Sequence, residues 1–128
     1  MFNSFANFTK ADEISLTGFS REYSQYDKIS EVFTELAFEI SGFPSHELTQ
    51  QINRYFVDYF SENNHSELVY EHGCIILLNQ KAKPDELQGL VNQLKLVLDS
   101  ANEYIKNKLD KDAQKENKFY DAINSLKF

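Results

Sequence analysis

The sequence has one cysteine, two prolines, four glycines and no tryptophan among its 128 residues. A lone Cys74 excludes an intramolecular disulfide and any metal cluster built on several thiolates. So little Gly and Pro leaves scant turn chemistry, which argues against many short strands joined by tight hairpins and favours helices. The most apolar run, residues 74–78, falls far short of the roughly 18 residues that a membrane span needs. No basic stretch followed by an apolar one opens the chain, so no secretory leader is read and a cytoplasmic protein is expected. Repeats, low-complexity tracts and Gly-, Pro- or Ser-rich linkers are also lacking, so residues 1–128 read as a single domain.

What is present is apolar and acidic. Hydrophobic residues make up 41% of the chain, with eleven Phe and seven Tyr, too much for a disordered segment. The net charge of −7 is unevenly spread: residues 1–66 hold four Lys or Arg against ten Asp or Glu, and the remainder is nearly balanced. A surface of that sign repels nucleic acid and anionic membrane and attracts a basic protein.

The stretch 24–41 reads as the central helix. Ser24 and Asp27 have capping-box spacing, and Gly42, Phe43 and Pro44 form a stop. Ile29, Val32, Phe33, Leu36 and Ile40 recur at three- and four-residue steps and would form one core face. On the other side Asp27, Glu31, Glu35 and Glu39 follow at i, i+4 spacing, each like-charged pair costing roughly 0.2–0.5 kcal/mol in a helix. A stripe that opposes helix stability suggests another use. On a wheel of 100° steps Phe38 falls among these carboxylates, so the five residues resemble a hot spot: an aromatic anchor ringed by charges that steer a basic partner. A contact between Phe38 and Phe43 across a Schellman stop is the packing alternative.

Around this element the chain divides as follows. Residues 1–19 form an apolar arm with Phe2, Phe5 and Phe8 spaced by three. Ser45 caps a helix over 45–61 whose apolar face is Leu48, Ile52, Tyr55, Phe56, Tyr59 and Phe60. Residues 66–80 read as a buried helix, with a short hairpin around 68–78 as the alternative. Pro84, Asp85 and Glu86 open a long helix over 84–109, where Leu87, Val91, Leu94, Leu98, Ala101 and Ile105 make a seam. A last helix over 112–127 carries Phe119, Tyr120, Ile123 and Leu126.

Catalytic chemistry has little foothold. His65, Glu67, Glu71, His72 and Cys74 lie close in sequence but lack metal-ligand spacing, and Cys74 reads as a buried, inert thiol. Phosphate-binding glycine loops and a serine elbow are missing, so no enzyme, metal or cofactor is expected. The sequence therefore predicts an all-α fold, a single compact bundle of about five helices. The expected function is a small acidic inhibitor that neutralises a basic protein, such as an immunity protein against a nuclease toxin, through Asp27, Glu31, Glu35, Phe38 and Glu39. The rival is a helical assembly protein that forms homo-oligomers through the Leu87 to Ile105 seam or the phenylalanine arm.

Overall fold

The computed structural model describes residues 13–60 and 66–127. Their order is β1 (Leu16–Asp27), β2 (Val32–Ile40), α1 (His46–Tyr59), β3 (Glu67–Glu71), β4 (Cys74–Ala82), a 3-10 turn (Pro84–Glu86) and α2 (Leu87–Asn124). The strands form one antiparallel sheet in the order β1-β2-β4-β3. The architecture is mixed α/β, which corrects the all-α bundle of five helices.

The largest correction falls on 24–41, which is the end of β1, a turn and β2. From Glu35 to Ile40 the residues alternate: Leu36 and Phe38 enter the main core, while Glu35, Ala37 and Glu39 face the other side. Apolar steps of three and four fit a helix, but this two-residue alternation fits a strand, and the aromatic and β-branched content of β2 favours the strand. The glutamate repulsion that a helix would suffer is relieved, because four strand residues span about 14 Å. Ser24 and Asp27 have the chemistry of caps, but Ser24 lies in β1 and Asp27 serves the turn that follows it. Asp27 Oδ1 accepts the Ile29 N–H at 2.9 Å and its Oδ2 accepts the Ser30 hydroxyl at 2.8 Å, which closes the β1–β2 hairpin. Glu31 completes that turn at a φ of 57°.

Residues 66–80 are likewise not a buried helix. They belong to a hairpin of β3 and β4, closed by His72 and Gly73 with φ of 57° and 71°. Two central residues at positive φ are what a tight hairpin turn of matching twist demands, and glycine meets that demand without strain. The two C-terminal helices, 84–109 and 112–127, are one continuous α2; with neither Gly nor Pro beyond Gly89, nothing stops it near Asp110. The phenylalanine arm falls mostly outside the described residues, and positions 16–19 open β1.

Both helices lie on one face of the sheet. Ser45 Oγ accepts the Leu48 N–H at 3.1 Å and starts α1, which buries Leu48, Ile52 and Phe56. Leu90, Leu94, Val97, Leu98, Ala101 and Ile105 of α2 join them over Leu36, Phe38, Ile75 and Leu77. At about 1.5–3 kcal/mol for each large side chain buried, this layer is the main source of stability. The seam expected as an assembly surface is thus interior. Among the described residues no helix is long and apolar enough to cross a membrane.

Candidate protein-binding face

Among the described residues, no helix residue packs on the opposite face of the sheet. A second, smaller cluster lies there: Ala37, Cys74 and Ile76, flanked by Tyr23, Val69 and Leu78. Strand register fixes its frame. Glu35 and Glu67 both pair with Leu78, Ala37 and Val69 both pair with Ile76, and Glu39 and Glu71 both pair with Cys74. Three rows cross the sheet in consequence: carboxylate, apolar, carboxylate at the two ends, and wholly apolar between. With strands about 4.8 Å apart, the four glutamates bound a rectangle of about 10 by 14 Å.

A bulge in β1 lies over the apolar centre. Between Ser20, opposite Ala37, and Gln25, opposite Glu35, β1 has extra residues. Ser24 Oγ holds this excursion by accepting the Ala37 N–H at 2.9 Å and donating to the Ser20 carbonyl at 2.6 Å. Tyr23 then packs on the cluster, and its ring stacks on His72 with centroids 4.2 Å apart and planes 3° from parallel. Gly18 supplies room at the edge: a Cβ there would meet Glu39 Oε2 at 3.3 Å, so the missing side chain lets that carboxylate lean across β1.

The electrostatics are one-sided. Glu39, Glu67 and Glu71 are exposed and Glu35 is half-buried. Among the described residues the one ion pair joins Lys108 to Glu47 on the helical side, so no described cation pins the four glutamates. Cys74 lies beneath them. Burial pushes its thiol above the ordinary range, the Glu39 charge adds to that, and a hydrogen bond with Ser20 opposes it. A thiol held protonated is a poor nucleophile, and the described residues contain no group of His, Cys, Asp and Glu able to hold a metal ion.

The five residues of the sequence reading do not form one surface. Glu35 and Glu39 lie on this face. Asp27 and Glu31 belong to the β1–β2 turn, where the Ser30 hydroxyl and then the Ile29 N–H hold the Asp27 carboxyl below its usual range. Phe38 points the other way, 2% exposed, against Phe19 at a centroid distance of 5.7 Å. It is core and does not stand among the carboxylates. Ile29, assigned to a core face, is 96% exposed at the hairpin tip. Glu67 and Glu71 lie outside that set of five, although the alternation Glu67, Val69, Glu71 against Leu68, Tyr70 is a strand signal.

A groove between α1 and α2, lined by Tyr55, Ser100, Tyr104, Lys108 and Lys111, opens on the helical side. Its tyrosines flank Arg54, whose guanidinium lies 5.8 Å from the centroids of both Tyr55 and Tyr104. Glu103 and Asp112 also line it beside Lys108, Lys111 and Lys115, so its charge is mixed, unlike that of the sheet face. Compared with known proteins, the chain matches no family model, no curated protein and no solved structure.

Proposed function

We propose that the chain is a small acidic binding protein that captures a basic protein on the helix-free face of its sheet. The observation that carries this reading is the placement of Glu35, Glu39, Glu67 and Glu71 around Ala37, Ile76 and Val69. Charges that no described residue neutralises raise the encounter rate with a cationic surface; Ala37 and Ile76 between them are already buried, so the apolar area open to a partner is that of the half-buried Val69, Leu78 and Tyr23. A protein that works on nucleic acid is positive where it grips phosphates, so covering that surface would inhibit it; an immunity protein for a nuclease toxin is the form of this function that the charge favours.

The test is affinity capture from the native host at low and high salt, followed by the same capture with E35Q/E39Q/E67Q/E71Q. A basic protein retained at low salt, released at high salt and lost with the glutamine variant is the expected result. Equal retention by parent and variant would remove the face from the function.

A further inference from the structure

A cavity of about 300 Å³ opens on the helical side of the sheet, away from the acidic face. Strand pairing explains its position. Phe19 of β1 lies opposite Phe38 of β2 and their rings meet edge to face at 5.7 Å, yet Phe38 is 2% exposed and Phe19 37%. The helical layer therefore ends between these two strands, and β1, at the edge of the sheet, extends beyond it. Leu16, Phe19, Phe38 and Val91 give the gap apolar walls. Gly18 lines it with backbone alone, since a Cβ there would meet only Glu39, which belongs to the other face.

The rim is polar, and its one charge is positive. Thr17 and Lys95, both exposed, complete the lining, and Lys95 has no ion pair among the described residues. A concave, mostly apolar site with a few polar groups at one end is the anatomy of a small-molecule pocket. Its volume equals that of about ten waters at about 30 Å³ each, which is room for an aliphatic chain of about eight carbons with its head group. The apolar walls supply area to bury, and the lysine selects the head. An ammonium beside weakly polar walls favours an anion and disfavours a cation.

We infer that this cavity binds a medium-chain aliphatic carboxylic acid, with the chain against Phe19, Phe38 and Val91 and the carboxylate on Lys95. The site is separate from the acidic sheet face, so neither this inference nor the function proposed above depends on the other.

An NMR titration of the intact protein with octanoate, kept below its micelle concentration, tests it. The expected result is a saturable shift centred on the amides of Leu16, Phe19, Phe38, Val91 and Lys95, with those of Glu67, Val69 and Glu71 unmoved. Octanol, which lacks the charge, should bind less tightly than octanoate, and K95Q should lose up to about fivefold in octanoate affinity, the worth of an exposed charge pair. V91F should fill the cavity and abolish the shift. F19A removes a wall at an exposed edge position and should weaken binding, so the walls are tested even where V91F fails to fold. No saturable shift, a shift centred on the acidic face, or octanol or octylamine bound as tightly as octanoate overturns the inference. So does a folded V91F, or an F19A, that binds like the parent. A short peptide ending in leucine carries the same carboxylate; if it binds more tightly than octanoate, the cavity takes a chain terminus in place of a free acid and the inference fails.

Discussion

Asn102 is a polar side chain on the buried face of α2, and both ends of its amide are used. Its Oδ1 accepts the Ile14 N–H at 3.1 Å and its Nδ2 donates to the Ile14 carbonyl at 2.9 Å, which ties the entry to β1 onto the helical layer. Asn102→Ala should leave two buried backbone groups of Ile14 unpaired. At about 1–3 kcal/mol for each, the loss should be plain in a denaturant melt, whereas substitution of the exposed Ile29 should leave the melt unchanged. Cys74 gives a prediction in pH. Because the folded thiol holds its proton where the unfolded one releases it, its contribution to stability is present below the ordinary thiol pKa and is lost as pH rises through the higher folded value. Native alkylation of Cys74 should accordingly be slow at neutral pH and accelerate only above the ordinary thiol range, and denaturant should abolish that lag. The burial of Cys74 was legible in the apolar run it opens. The Asn102 bridge was not, since nothing local signals a partner 88 residues away.

At the scale of elements, legibility followed how many periods a segment satisfies. Ser45 with an apolar stripe behind it, and Pro84 ahead of a long amphipathic run, admit one solution each, and α1 and α2 begin near them. Residues 24–41 satisfied two. Steps of three and four among Ile29, Val32, Phe33, Leu36 and Ile40 concealed the alternation from Glu35 to Ile40, and Ser and Asp serve caps and turns equally well. The repulsion among Glu31, Glu35 and Glu39 was the discriminating signal, because a helix pays for it and a strand does not. Scarcity of Gly misled in the same way: His72, Asn79 and Lys81 adopt positive φ in β4 and its turn, so glycine was not needed at every irregular position. The α2 seam yields a direct prediction. Leu94→Ala and Leu98→Ala, both fully buried in the core, should each cost about 2–5 kcal/mol in a thermal or denaturant melt without changing the oligomeric state. Equal melting with altered assembly would return the seam to the surface.

Over the whole molecule, the sheet separates two tasks. One face, covered by α1 and α2, holds the fold together; the other carries charge that no described residue neutralises. The acidity of the first half of the chain was visible in composition, and Glu35 and Glu39 were visible as part of it. Their union with Glu67 and Glu71 was not, because it depends on the strand order β1-β2-β4-β3, which brings β3 and β2 to either side of β4. The most direct measurement of this account is the association rate of the captured basic partner with the parent and with E35Q/E39Q/E67Q/E71Q across a salt series. The account predicts that the variant melts at or above the parent, because like charges have been removed, and that it associates more slowly with a flatter dependence on salt. A well-folded variant that associates at the parent's rate, with the parent's salt dependence, would contradict it.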